Sequence, residues 1–93
     1  MQDNNKKTNF EKLAIVLKAV AHPTRLAIID LLKQNDVLSV NKICKTLGCE
    51  QSIISHHLVK MKSSGILKSQ KKGLNNYYSL IEIKILKAIS ILG

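Results

Sequence analysis

The chain has little of several residue types that would assign it to other classes of protein. Of its 93 residues, 3% are aromatic, two are cysteine, one is proline and none is tryptophan. Two cysteines cannot supply a disulfide framework, and no apolar run approaches the ~20 residues that a membrane span requires. Because the segment 1–9 is polar and does not resemble a secretory signal, we expect a cytoplasmic protein with no membrane partner.

The sequence also lacks the residue sets that mark catalytic and cofactor sites. It contains no glycine-rich phosphate loop and no Ser-His-Asp arrangement, and neither Cys44 nor Cys49 has a supporting base in its sequence neighbourhood. We therefore expect no enzymatic activity and no cofactor.

Negative charge is scarce and unevenly distributed. The sequence contains six Asp and Glu residues and fifteen Lys and Arg residues, which gives a formal net charge of +9. No acidic residue lies between Glu50 and Glu82, and that interval carries Lys60, Lys62, Lys68, Lys71 and Lys72. An excess of this size attracts polyanions and favours nucleic acid as the partner. A solvated lysine-rich surface remains the alternative on charge alone.

Two helices are predicted in the first third of the chain. Thr8 and Glu11 have the spacing of a capping box, and apolar residues recur at helical intervals after them, which predicts a helix over about 9–20. Pro23 suits the first position of a second helix that extends to Lys33.

The middle of the chain has the pattern of a helix-turn-helix. Ser39 is a good N-cap for a short third helix, and Gly48 is suited to end it. A fourth helix over about 50–64 follows almost at once, with Gly65 after it. Two helices joined by a tight glycine turn define a helix-turn-helix over about 39–64.

The hydrophobic period then changes to that of strands. Strands over 66–70 and 76–80, joined by a polar turn over 71–75, predict a β-hairpin that would form a wing over about 66–80. A fifth, strongly apolar helix is predicted over about 81–92. The fold class is thus mainly α with a small β-hairpin, in a single winged helix-turn-helix domain over 1–93.

Polar side chains on the fourth helix and the wing are the candidate contacts to DNA. The second helix of a helix-turn-helix enters the major groove, so its outward side chains must bind base edges or phosphates. The candidates on this helix are Gln51, Ser52, Ser55, His56, His57 and Lys62. Those on the wing are Lys68, Lys71, Lys72 and Asn75. The adjacent histidines point about 100° apart on a helix, so a shared metal ion is not expected. A DNA contact is expected for His56, and packing or a phosphate contact for His57.

Four segments together resemble the ArsR/SmtB family of winged helix-turn-helix transcriptional repressors. They are AHPTRL at 21–26, QSIISHHL at 51–58, SGIL at 64–67 and YYSL at 77–80. The resemblance implies a symmetric dimer formed by the first and last helices, a palindromic double-stranded DNA operator, and an effector that releases the DNA. It places Arg25 in a structural or dimer-linked role rather than at the DNA. The expected dimer contacts are Phe10, Leu13, Leu17, Ile81, Ile85, Ile89 and Leu92.

The chain departs from the family at the usual metal sites. Where many members have Leu-Cys-Val-Cys, this chain has Leu-Ser-Val-Asn at 38–41, and the stretch 82–84 on the last helix has a lysine and no histidine. We therefore expect a repressor with no metal bound at these places.

Two alternatives remain open at this point. Cys44 and Cys49 are either small apolar fillers or a thiol switch whose oxidation would distort the turn before the fourth helix. Alternatively, the basic face belongs to a winged-helix interaction module that binds an acidic protein or an anionic membrane.

Overall fold

The computed structural model describes the backbone of residues 2–81 and the side chains of residues 9–81. Within this part of the chain lie four helices and three strands. They are α1 (Gln2–Val20), α2 (Pro23–Gln34), β1 (Val37–Ser39), α3 (Val40–Leu47), α4 (Gln51–Ser63), β2 (Leu67–Lys72) and β3 (Asn75–Leu80). The predicted fifth helix falls outside the described residues except for Ile81, and with it the expected dimer contacts Ile85, Ile89 and Leu92.

The first helix begins earlier than predicted. α1 starts at Gln2, so the predicted start near Asn9 is wrong. No proline or glycine interrupts residues 2–8, where Gln and Lys favour helix. Thr8 lies inside the helix and cannot be its N-cap, because an N-cap residue has a non-helical backbone.

The predicted ends of the next three helices agree closely with the structure. Pro23 occupies the start of α2, and the helix is capped by His22, whose Nδ1 accepts a hydrogen bond from the Thr24 backbone N–H at 3.1 Å. Ser39 caps α3 by accepting from the Lys42 N–H at 3.1 Å, and Gly48 ends it with φ of 65°. The imidazole cap was not predicted, since His is not among the usual capping residues.

The wing is part of a three-stranded antiparallel sheet with the order β1-β3-β2. The prediction of a two-stranded hairpin therefore missed the strand β1. β1 pairs with β3 so that Ser39 lies opposite Tyr77 and Val37 opposite Ser79. A strand of three residues is too short to show an alternating pattern, and its pairing with a distant segment stabilises it.

The turn of the wing is shorter than predicted. Lys71 and Lys72 pair with Asn76 and Asn75, which leaves a two-residue turn instead of the polar turn expected over 71–75. Gly73 has φ of 62° at the first central position, the pattern of a type II′ turn. Both strands therefore extend almost to the tip, where lysine and asparagine are tolerated because they face solvent.

β3 ends at Leu80, as predicted, and one further backbone hydrogen bond follows it. The Ile81 N–H donates to the Ile66 carbonyl at 2.8 Å, and Ile81 has no helical backbone assignment, so the predicted last helix does not begin at this residue. Of the two neighbouring tyrosines, Tyr78 is buried and Tyr77 is half-buried, as their opposite directions on a strand predict.

The core lies between the helices and one face of the sheet. Its fully buried side chains come from α2, α3, α4 and the start of the wing, and are Ile28, Leu32, Ile43, Ile54, Leu58, Met61, Ile66 and Leu67. Three of them, Ile54, Leu58 and Met61, recur on one side of α4 and fix its rotation against the body. Within residues 2–81, no helix has the length and apolar character of a membrane span.

Candidate nucleic-acid interface

Burial of one side of α4 turns the opposite side to solvent. At about 100° per residue, Ser52 and His56 point away from the stripe that contains Ile54, and both are exposed. Gln51 is exposed beside this polar side, and Ser55 is half-buried at its edge. The side chains expected to reach base edges therefore lie in the first two turns of α4.

The N-terminus of α4 carries no side-chain cap. Glu50 occupies the N-cap position, and its carboxylate makes no capping hydrogen bond. The first backbone N–H groups of a helix have no partner within the helix, and the dipole gives that end a partial positive charge. The end of the helix that would approach DNA can thus bind anions, although Glu50 places a carboxylate beside it.

The wing tip lies close to the start of α4. A surface crevice is bordered by the starts of α3 and α4 and by the wing tip, and its lining residues are Val40, Asn41, Gln51, Leu74, Asn75 and Asn76. Gln51 and Asn75, both predicted as DNA contacts, thus line one feature. Asn41 was not predicted, because its proximity to the wing tip depends on the pairing of β1 with β3.

The lysines expected to bind phosphate are all accessible. Lys68, Lys71 and Lys72 are exposed along β2, and Lys62 is exposed on the last turn of α4. Leu74 is 98% exposed at the tip of the wing, between these cations and the asparagines of β3. The described stretch 51–81 contains no acidic residue, so the surface carries positive charge on both α4 and the wing.

His57 lies inside the fold and not on the exposed side of α4. Its side chain is 7% exposed, and its Nδ1 accepts a hydrogen bond from Arg25 Nε at 3.1 Å. Arg25 also donates through Nη1 to the Ala19 carbonyl at 3.0 Å. The guanidinium thus joins α1, α2 and α4, and we leave His57 out of the proposed DNA contacts.

The surroundings of His57 disfavour its charged form. Burial lowers the pKa of His57 below its ordinary value, and repulsion from His22, Arg25 and His56 lowers it further. The His22 ring lies 4.5 Å from the His57 ring, and the His56 ring lies 5.6 Å away, between centroids. A neutral His57 with its proton on Nε2 is the form that accepts from Arg25.

The cysteines flank the turn between α3 and α4. Cys49 donates its backbone N–H to the Cys44 carbonyl at 3.1 Å, the long hydrogen bond of a Schellman motif. Both thiols are free and half-buried, and both side chains pack against the core. Side chains at these two positions of the motif commonly contact each other, so the structure favours a packing role. The thiol switch at Cys44 and Cys49 stays a prediction. Measuring the affinity for DNA during titration with peroxide tests it, and an affinity that does not change with peroxide would contradict it.

Among the described residues, no group of three His, Cys, Asp or Glu side chains could hold a metal ion. At the start of α3, where the resemblance placed the family's cysteine pair, this chain has Ser39, whose hydroxyl caps the helix. The stretch 82–84 lies outside the described residues.

A helix-turn-helix formed by α3 and α4, followed by a basic wing, defines the chain as a winged helix-turn-helix DNA-binding protein. The model of the bacterial regulatory proteins of the arsR family matches residues 22–69. The chain belongs to this family and is a DNA-binding transcriptional regulator, not an enzyme. Membership in a family of DNA-binding regulators also decides against the interaction module.

Individual relatives match most of the chain. The HTH-type transcriptional regulator MJ1325 of Methanocaldococcus jannaschii is 39% identical over 88% of this chain and 92% of its own length. The transcriptional repressor PagR of Bacillus anthracis is 38% identical over 91% of this chain and 85% of its own length. The crystal structure of PagR superposes with a TM-score of 0.75 at 34% identity, covering 90% of this chain and 98% of that one. The structure of HlyU from Vibrio cholerae superposes with a TM-score of 0.77 at 31% identity, covering 88% of this chain and 90% of that one.

Proposed function

We propose that this protein is a homodimeric repressor that binds a palindromic operator through α4 and the wing. The observation that carries the proposal is the orientation of α4. Its apolar side is fully buried, and Gln51, Ser52 and His56 are exposed at the end that would enter the groove. The similarity to a transcriptional repressor over most of both chains supports repression as the outcome.

Different residues in the first turns of α4 are assigned to different parts of the DNA. Gln51 has the amide that pairs bidentately with adenine. Ser52, Ser55 and His56 are short or planar donors and acceptors that fit base edges or neighbouring phosphates. Sequence preference therefore depends most on Gln51.

The lysines supply affinity without sequence preference. Lys62, Lys68, Lys71 and Lys72 are exposed cations, and the Asn75 amide beside the wing tip adds a neutral donor. Each Lys–phosphate contact releases counterions, so binding weakens steeply as the salt concentration rises.

The apolar residues of α1 support dimerisation. One side of the helix packs on its own protomer through Leu13, Val16 and Ala19. A second side, with Phe10 and Leu17, is exposed. We assign Phe10 and Leu17 to the dimer interface together with the predicted last helix, and Leu13, already buried in one protomer, contributes less there.

Selection from random duplex DNA tests the proposal. We expect enrichment of an inverted repeat with half-sites about one helical turn apart, and two protomers bound to each duplex. Selection of no sequence, or of an asymmetric single site bound by one protomer, would contradict it.

Two variants separate the assigned roles on the selected operator. Gln51→Ala should relax base preference at one position of each half-site, since it removes a contact to a base edge. Lys72→Ala should weaken binding to every duplex and reduce the slope of log affinity against log salt concentration by about one unit per protomer, or about two for the bound dimer. Equal effects of both changes on all sequences would contradict this division.

A further inference from the structure

Ile53 is an apolar side chain on the part of α4 that would enter the groove. It is 48% exposed, although its neighbour Ile54 is fully buried in the core. At about 100° per residue, it lies about 60° from His56 and about 100° from Ser52, on the opposite side of them from Gln51. An exposed β-branched residue is a moderate helix former at best, so local helix stability gives no reason for isoleucine here.

The chemistry of the major groove offers one apolar partner. Each base pair presents hydrogen-bond donors and acceptors at its edge, and thymine alone adds a C5-methyl group. A branched aliphatic side chain cannot satisfy a donor or an acceptor, whereas it can cover a methyl group and remove it from water.

We propose that Ile53 contacts the 5-methyl group of a thymine and selects an A·T pair at one position of each half-site. This inference rests on the proposed function, since it requires α4 to lie in the major groove. It assigns to Ile53 a specificity that the polar side chains beside it do not provide.

The experiment removes the methyl group and nothing else. In the selected operator, each thymine of a half-site is replaced in turn by deoxyuridine, symmetrically in both half-sites, and the Kd is measured for the wild-type protein and for Ile53→Ala. We expect one position at which deoxyuridine weakens wild-type binding about fourfold per half-site, the effect of exposing one methyl-sized group. At that position Ile53→Ala should bind the thymine and deoxyuridine operators equally.

A matched variant controls for the loss of an exposed apolar side chain. Val37 is 54% exposed on the edge strand β1 and lies outside α4. Val37→Ala should retain the full penalty for deoxyuridine at the same position. Because Ile53 is half exposed, Ile53→Ala should keep the wild-type thermal unfolding midpoint and salt dependence.

The outcomes separate this inference from the proposed function. If the wild-type protein selects an operator but no thymine shows a deoxyuridine penalty that depends on Ile53, the inference is wrong and the repressor proposal stands. If Ile53→Ala instead lowers the dimer fraction in sedimentation, Ile53 faces the partner subunit and the inference is also wrong. If the wild-type protein selects no duplex, the proposed function itself fails.

Discussion

Arg25 shows how one side chain sets the position of α4. Its guanidinium donates to the Ala19 carbonyl at the end of α1 and to the His57 imidazole on α4, while its own backbone belongs to α2. A planar guanidinium can make both bonds because its donors point in fixed, separate directions. The resemblance predicted a structural role for Arg25, and these contacts are consistent with it.

Replacing Arg25 by lysine should therefore destabilise the fold even though the charge is kept. An ammonium on a flexible stem cannot reproduce both hydrogen bonds, and a nearly buried imidazole would lose its partner. We expect Arg25→Lys to lower the free energy of unfolding by about 1–3 kcal/mol, measured by urea titration. Lys45→Arg, on the exposed side of α3, is the control, and an unchanged urea midpoint for Arg25→Lys would contradict the role.

His57 should make stability depend on pH. Its pKa is lowered in the folded protein, first by burial and then by His22, Arg25 and His56. The unfolded chain therefore binds the proton more readily, and the free energy of unfolding falls as the pH falls below about 6.5, the ordinary histidine value. One proton limits the slope to about 1.4 kcal/mol per pH unit. Urea titrations at pH 7.5 and 5.5 measure it.

The control for this prediction removes the titrating group and keeps an acceptor. In His57→Gln the amide oxygen can accept from Arg25, so the variant should fold at pH 7.5 and lose much of the decrease in stability at pH 5.5. If the wild-type protein and His57→Gln lose stability in parallel, the pH dependence arises from other groups.

Among the elements, local signals were enough for the ends of α2, α3 and α4 and insufficient for the start of α1 and for the sheet. Pro23, Ser39 and Gly48 act through their own backbone geometry or through neighbours within three residues, so their roles were predictable. The strand β1 and the two-residue turn at Gly73 depend on pairing with β3, which no local pattern shows. The same distinction explains why Gln51 was predicted as a contact while Asn41 was missed.

Burial explains the remaining differences at the candidate site. The sequence favoured a DNA contact for His56 and either packing or a phosphate contact for His57, and the burial of His57 decides between its two roles. Ile54 was predictable as the buried one of two adjacent isoleucines, because it shares with Leu58 and Met61 the i, i+4, i+7 spacing of a helix side.

The N-cap of α4 can be improved by one substitution. Glu50 makes no capping hydrogen bond, and its negative charge lies at the end of the helix that would face phosphate. In Glu50→Ser the hydroxyl can accept from a first-turn N–H, which should raise the free energy of unfolding by about 0.5–1 kcal/mol. Loss of the carboxylate should also tighten binding to all duplexes at low salt.

Urea titration and fluorescence anisotropy measure the two effects of Glu50→Ser separately. Glu50→Gln, which removes the charge without supplying a good cap, should tighten DNA binding and leave stability nearly unchanged. Weaker DNA binding by both variants would show that Glu50 contacts the operator directly.

Positive charge and exposed apolar surface lie on different parts of the protein. The stretch 51–81 carries five lysines and no acidic residue, and it forms α4 and the wing. The exposed apolar pair of α1, Phe10 and Leu17, lies on another element. This separation would allow one surface to bind DNA while another joins two protomers, as the proposed twofold-symmetric dimer requires.

A charge introduced on α1 tests this arrangement. Leu17→Glu places a carboxylate on the side of α1 that is exposed in one protomer and proposed to be covered in the dimer. Burying an unpaired charge is costly, so sedimentation should show dissociation at concentrations where the wild-type protein is a dimer. Binding to a complete palindrome should weaken strongly, while the weak binding to a single half-site should persist, because α4 and the wing are unchanged.

Ile15→Glu is the matched control for Leu17→Glu. Ile15 is also an exposed apolar residue of α1, and at about 100° per residue it lies about 200° around the helix from Leu17. It therefore points away from the proposed interface, and the variant should remain a dimer with nearly wild-type affinity for the palindrome. Dissociation by Ile15→Glu but not by Leu17→Glu would place the interface on the other side of α1, and a dimer in both variants would exclude α1 from it.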